Sequence, residues 1–355
     1  MLLLASVNLY SQDSTTTVDT TKQKMFEWFA FPFIFYTPEV NFAFGAGGIA
    51  YFRTSMKKGT RPSKIISSAY YSINDQYLVS LTPSVFFNRN RNEASSEIYF
   101  EKKIDEFYGI GNNSSEISTP DYQYENFSVS ARIKQEFLGK LKVVAVYEFM
   151  NYYIADIREN PYLNNDVIYG SDGGVNSGLG YGITLDNRNN IFYPSHGTLL
   201  EFNAVYFASV FGSDYNFDRY IFDLRYYRAL SKNNDIIALQ GYAAHTIGSS
   251  PFYALPKLGG QHMMRGYYEG RYRDKNYLTA QIEYRKTLLN RINFILFLGF
   301  GDVGKDLNDF SLPKLKYSFG GGLRYVLDEN EKLNIRVDIG YGDSVGFYFG
   351  VEEAF

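Results

Sequence analysis

The sequence predicts an all-β protein, a closed transmembrane antiparallel β-barrel of about sixteen strands, and three observations carry that prediction. The first is alternation with period two: in "LNIRVDIGY", Leu333, Ile335, Val337, Ile339 and Tyr341 share one face, and Asn334, Arg336, Asp338 and Gly340 share the other. The second is composition. Tyr 33, Phe 30 and Gly 31 in 355 residues bring the aromatic share to 18%, and aromatics and glycine favour strands and tight turns. The third is asymmetry: segments of ~9 to 14 residues, enough to cross a bilayer at a tilt, are joined by connections that alternate between short and long. A soluble sandwich would also alternate. Large aromatics near the segment ends, where an interfacial girdle needs them, and the uneven connections favour the membrane. A strand in lipid must pair on both edges, so the sheet has to close and its charged face has to line a wet lumen.

Taken in order, residues 1–12 of "MLLLASVNLYSQDS" read as a residual secretory signal peptide without its basic start, a short buried strand being the alternative. Residues 13–25, polar and threonine-rich, read as a flexible periplasmic leader. The barrel takes residues 26–355. Its predicted strands are 29–36, 41–53, 63–73, 76–88, 94–104, 122–137, 140–155, 177–186, 197–210, 217–229, 234–246, 275–288, 291–303, 314–327, 331–340 and 344–355. The greasy and charged faces separate again in "YLTAQIEYRKT", "RYIFDLRYY" and "KYSFGGGLRYV". With the amino end in the periplasm, the short turns at Gly139-Lys140, Asn290-Arg291 and Asp328 to Asn330 lie on that side. The long connections near 105–121, 156–176, 247–274 and 304–313 lie outside. Three outer connections, 37–40, 74–75 and 341–343, break the pattern by being short, and the inner "NRNNIFYPSH" at 187–196 by being long.

A net charge of −3 with no long basic run excludes a nucleic-acid partner held by phosphate neutralisation. Zero cysteines exclude a disulfide framework and a thiolate metal site. His196, His245 and His262 lack metal-ligand spacing, so neither metal nor cofactor is expected. After residue 12 no apolar run reaches the ~18 residues of a helical span. Fewer than ~30 residues precede the first strand, too few for a second folded module.

Several motifs follow one another in the second half. Met264-Arg265-Gly266-Tyr267 falls in the connection between the eleventh and twelfth strands. Phe300-Gly301-Asp302-Val303-Gly304 lies on the thirteenth, and Glu283 on the polar face of the twelfth. Gly320-Gly321-Gly322-Leu323-Arg324 lies on the fourteenth, and the chain closes on Phe355 after "VGFYFGVEEA". The inner turn "TLDNRNNIFYPSHGTLLEF" carries Asp186, Arg188, Pro194 and Gly197. In this order they resemble the BamA/TamA superfamily of outer-membrane insertases, the bacterial surface antigen family. There the first resembles the VRGF signature of the sixth outer loop, the second the FxDxG pattern, the glycine run the GxGxR stretch, and the final aromatic the terminal signal read during assembly. The resemblance covers essentially everything from Phe26 onward.

The resemblance implies an integral, multi-pass barrel of the bacterial outer membrane. Its sixth loop would fold into the lumen, with Arg265 reaching Glu283 and Asp302 and Gly266 making the bend. Guanidinium offers a planar fork that lysine lacks. The family's periplasmic POTRA domains find no room ahead of the barrel, so outer-membrane or periplasmic protein partners would replace them. Outer-membrane lipids surround the barrel, and the sequence leaves room for a homo-oligomer. The function implied is assistance to insertion or translocation of proteins, or of lipids, through a lateral seam between the first and last strands. Pro32, Gly346 and Gly350 would weaken pairing at that seam, unless they only bend the sheet. A passive pore or scaffold is the alternative. An enzyme such as a phospholipase would have to use Ser195-His196 or His245 with Ser249, for which no acidic orienter can be placed, so no enzyme is expected.

Overall fold

The structure, a computed structural model, describes residues 25–37, 40–57, 59–113, 121–158, 160, 162–163, 167–230, 235–289, 291–329 and 332–355. The expected signal at 1–12 and the leader up to residue 24 lie outside the described residues.

Sixteen strands make one antiparallel sheet in chain order. They are β1 (Phe26–Thr37), β2 (Asn41–Phe52), β3 (Ser63–Ser72), β4 (Tyr77–Phe87), β5 (Asn92–Glu106), β6 (Asp121–Leu138), β7 (Leu141–Asp156), β8 (Gly173–Asp186), β9 (Gly197–Phe207), β10 (Phe217–Ala229) and β11 (Ile236–Gly248), then β14 (Asn276–Leu289), β15 (Ile292–Gly304), β16 (Lys316–Asp328), β17 (Leu333–Tyr341) and β18 (Val345–Val351). The two-residue strands β12 (Lys257–Leu258) and β13 (Tyr272–Arg273) pair inside the long connection between β11 and β14. The sheet curls until its ends meet. The Phe31 and Phe349 rings stand edge to face at 6.2 Å, Tyr51 of β2 donates to Asp328 of β16, and Lys64 of β3 donates to Glu352 at 2.6 Å.

Burial decides which face meets what. On β17, Val337, Ile339 and Tyr341 are 45%, 50% and 49% exposed, while Arg336 and Asp338 are 1% and 0% exposed. A soluble sandwich buries its apolar side. Here the greasy residues cover the outside and the charges the inside, the arrangement a barrel in lipid requires. No helix among the described residues is long and apolar enough to cross a membrane, which says nothing of crossing by strands.

The lumen is filled rather than open. Toward the end with the long connections, Tyr152 stacks between Tyr253 at 4.1 Å and Tyr124 at 4.5 Å. Below them the β11–β14 connection dips inward and packs Met264 and Tyr267 against Ala244, Tyr277 and Val303. Near the short turns, Phe192 of the 187–196 turn packs with Ile49, Tyr51 and Leu333, and Phe355 packs with Tyr227 and Ala238.

Two boundaries differ from the sequence reading by four residues, the others by three or fewer. The last strand stops at Val351 instead of running to Phe355, because Glu352 adopts a φ of 69° and turns the chain into the lumen. β8 begins at Gly173, four residues before the predicted 177, since "GGVNSG" offers few side chains from which a period could be read.

Candidate functional site

Register builds the site. Glu283 of β14 pairs with Phe297 of β15, which pairs with Gly320 of β16, which pairs with Gly340 of β17. One row toward the short turns, Arg285, Ile295, Gly322, Asp338 and Tyr348 follow in the same way across β14 to β18. The loop drops Arg265 onto this wall. Its Nη2 donates to Glu283 Oε1 and its Nη1 to Asp338 Oδ2, each at 2.6 Å. One guanidinium thus ties β14 to β17 across two intervening strands. That span is possible because the planar ion lies on the Phe297 ring, 3.6 Å from its centroid, and because β16 offers glycines where side chains would intrude. A Cβ at Gly322 would stand 1.9 Å from Asp338 Oδ1.

The pair extends into a relay of alternating charge. Arg285 Nη2 donates to Glu283 Oε2 at 2.9 Å, Arg324 Nη1 donates to Asp338 Oδ1, and Arg324 Nε donates to Glu353 Oε2 at 2.7 Å. Arg336 flanks Asp338 at 3.5 Å. The side chains of the relay are at most 2% exposed. An unpaired ion so placed would cost several kcal/mol, and each here is held by an opposite charge.

The loop backbone is fixed as tightly. Gly266 has a φ of +103°, and a Cβ there would fall 2.4 Å from Gly342 N, so glycine alone makes this bend against β17. Its N–H donates to Tyr348 Oη at 2.7 Å, Ser344 N–H donates to Gly266 O at 2.9 Å, and Ser318 Oγ donates to Arg265 O. Met264, 1% exposed, holds a φ of 52°, and Tyr267 Oη donates to Tyr317 O at 3.1 Å. At the loop tip, His262 Nδ1 donates to Ala354 O at 3.0 Å. His262 keeps an exposed edge, yet packing around the ring and the Arg336 guanidinium lower its pKa to about 4, so it is neutral at pH 7.

Asp302 departs from the expectation. It accepts from Lys316 Nζ at 2.9 Å and Asn112 Nδ2 at 2.6 Å, and Asp338 takes the place expected of it. The reason is register: Asp302 lies five positions along β15 from Phe297, the partner of Glu283, or ~16 Å, farther than one guanidinium spans.

The remaining expected residues scatter. Phe300 points outward, 41% exposed, and Gly304 ends β15, its carbonyl accepting from Asn276 Nδ2 at 3.1 Å. Gly320 and Arg324 belong to the relay wall. Pro32 sits exposed on β1 opposite Ala46. Gly346 and Gly350 make room inside: a Cβ on them would meet Tyr348 Oη at 2.3 Å and Arg336 Nε at 2.8 Å. Phe355, expected on the last strand, lies in the lumen. Asp186 binds Arg188 at 3.0 Å and Arg61 at 2.7 Å, which folds the 187–196 turn inward. Ser195 Oγ lies 3.4 Å from His196 Nδ1, and His245 Nδ1 is 2.6 Å from Asn276 Oδ1. Sequence reasoning missed Asp338, Arg336, Arg285, Glu353 and Phe297 as members. The charged faces of "YLTAQIEYRKT" and "LNIRVDIGY" placed Arg285 beside Glu283 and Arg336 beside Asp338, but neither showed that the two faces meet, and Phe297 and Glu353 had no local signal.

A family model described as the Omp85 superfamily domain matches residues 44–355. Comparison with curated protein sequences gives no match. Among solved structures, BamA from Haemophilus ducreyi lacking POTRA domains 1–3 is similar with a TM-score of 0.58 and 14% identity, over 99% of this chain and 73% of that one. CdiB from Acinetobacter baumannii gives 0.55 and 12% identity over 93% and 59%. CdiB from Escherichia coli gives 0.58 and 11% identity over 99% and 66%. At these identities the likeness is one of fold, and the chain spans less than two thirds of either CdiB.

Proposed function

The chain belongs to the Omp85 superfamily, and we infer from that membership and from the lumenal latch that it is an integral, multi-pass barrel of the bacterial outer membrane. It assists the insertion or translocation of proteins there, with lipids as a second class of cargo. The observation that carries this reading is Arg265 bridging Glu283 and Asp338. A loop anchored by a buried fork holds the β14 to β18 wall in one register beside the seam. The seam itself can then part to expose strand edges, whose unpaired backbone groups template an incoming strand. No covalent chemistry is required of any residue.

Residues 1–12 serve as the export signal and 13–25 as a periplasmic leader in this reading. Surrounding lipids and outer-membrane or periplasmic proteins are the partners, and self-association is compatible with it. The lumen filled by Tyr253, Met264 and Phe355 disfavours a passive open pore. Depletion of the protein in its own cells tests the proposal. A fall in the levels of other outer-membrane barrels is expected; unchanged levels, together with a steady ion conductance of the purified protein in planar bilayers, would favour the pore instead.

A further inference from the structure

Strand β1 is apolar on both of its faces. Trp28 and Ile34 stand outward, 56% and 55% exposed, as lipid-facing residues do, and the other face carries Phe29, Phe31 and Phe33. Phe29 packs with Ile49, Tyr51 and Phe192 of the inward turn, which fixes this face as the lumen side. Register continues the strip onto β2, where Phe29, Phe31 and Phe33 pair with Ile49, Gly47 and Gly45. The rings lie on those glycines: a Cβ at Gly45 would stand 2.8 Å from the Phe33 ring, and one at Gly47 3.3 Å from the Phe31 ring. From Phe29 to Phe33 and from Ala43 to Ile49 this face therefore offers no charge and no hydrogen-bonding side chain.

Other apolar stretches of the lumen wall are covered. Arg265 lies on Phe297, its loop packs on Val303, and Val144 and Val146 of β7 are buried in the cluster that holds Tyr152 and Tyr253. The three rings of β1 stay partly exposed, and water against them is unfavourable. A peptide laid over the strip would turn backbone N–H and C=O groups toward rings and glycines that cannot pair with them. A hydrocarbon leaves nothing unpaired. Four residues of strand separate Phe29 from Phe33, or ~13 Å, close to half of the ~30 Å hydrocarbon core and so to the reach of one acyl chain. The strip also connects with the lipid outside. Phe31 meets Phe349 edge to face at 6.2 Å, and Phe349 pairs with Val337, 45% exposed on the outer face. Apolar surface thus runs around the free edge of β1 from the lipid side into the lumen.

We propose that the lumen face of β1 and β2 is a binding site for one acyl chain of a membrane phospholipid. Phe29, Phe31 and Phe33 hold the chain, Gly45 and Gly47 let the rings lie flat against the wall, and the chain reaches them around the edge of β1. The proposal rests on the reading of the chain as an outer-membrane barrel with lipid among its cargo. It concerns lipid alone and is independent of whether the protein also serves other barrels.

Photolabelling of the full chain tests it. The parent protein is reconstituted in vesicles of phosphatidylethanolamine that carries a diazirine on one acyl chain, irradiated and mapped by mass spectrometry. Adducts are expected at Phe31 and Phe33 on the inside as well as at Trp28 and Ile34 on the outside, with none at Ser80 on the lumen face of β4. Adducts at the outward residues only, or at Ser80 as often as at Phe31 and Phe33, would overturn the proposal. Phe31→Ser with Phe33→Ser should lower the phospholipid retained through purification by roughly tenfold or more, since the apolar contact of one ring is worth about that factor, while Ile34 is still labelled. Equal retention would count against the site. Phe33 replaced by p-benzoylphenylalanine and irradiated in intact membranes should capture lipid, and an adduct of protein size in its place would show that the strip serves a polypeptide instead. Should the serine variant not fold, the adduct map of the parent decides alone.

Discussion

Arg265 carries a charge at a position 1% exposed to solvent, and both of its carboxylates are 0% exposed. Removing one partner of a buried pair strands the other, which costs about 3–5 kcal/mol, against roughly 0–1 kcal/mol for an exposed pair. Arg265→Ala leaves Glu283 to Arg285 and Asp338 to Arg324 and Arg336, so the loss lies below the figure for a stranded ion and above that for an exposed pair. Loss of the heat-resistant folded band at a much lower temperature than in the parent protein is the expected result. Arg265→Lys should fall between the two, because a lysine keeps the charge but cannot donate to two carboxylates on strands β14 and β17 at once, nor lie flat on Phe297. A lysine variant as stable as the parent would remove the fork from the account. This residue and Glu283 were legible in the sequence because each sits in a recognisable local setting, one beside a glycine in a long connection, the other on an alternating polar face. Its second partner was not legible. Asp302 and Asp338 are equally acidic in the sequence, and only inter-strand register, which no local pattern encodes, puts Asp338 beside Glu283.

Strands were easier to read than the contacts between them. The alternation in β14 to β17 survives in the structure, with greasy faces out and charged faces in, because lipid on one side and a packed lumen on the other enforce the same period from both directions. It failed where side chains are small or the chain leaves the wall: in the glycine-rich start of β8, and after Val351, where Glu352–Phe355, two acids followed by two apolar residues, turn inward instead. The glycine run on β16 gains its meaning only at this scale. Gly322 lies between Ile295 and Asp338, and its missing side chain is what lets Arg324 and Arg265 share one aspartate. Gly322→Ala places a methyl within 1.9 Å of Asp338 Oδ1 and 2.6 Å of Val337 O, so the carboxylate must move off its arginines. A loss of about 1–3 kcal/mol is expected, read as a lower temperature midpoint of the folded band. Gly321→Ala is the control: its Cβ would approach nothing closer than 3.1 Å, and it should cost distinctly less. Equal losses in the two variants would show that strand propensity, and no crowding at the latch, sets the effect.

At the scale of the whole barrel, the seam strand β18 is the shortest of the sixteen in the sheet. β1 and β2 share twelve paired positions and β6 and β7 fifteen, whereas β18 has only seven residues to offer its neighbours. A ladder that short leaves the join between β18 and β1 to depend on side chains such as Phe31 and Phe349, whose rings meet at 6.2 Å, and on Lys64 holding Glu352. Aromatic contacts of this kind contribute about 0.5–1.5 kcal/mol, little beside the backbone hydrogen bonds of a full ladder, each worth about 1 kcal/mol. The barrel is therefore built to part there first if it parts anywhere. Phe31→Cys with Phe349→Cys, joined by a short bis-maleimide in the otherwise cysteine-free chain, closes that join covalently. If assembly of other barrels depends on the seam, the joined protein should fold and fail to support it, while the same variant left unjoined supports it as the parent does. Full support from protein joined to completion would place the function elsewhere in the barrel, and the short last strand would then serve only to send Glu352–Phe355 into the lumen.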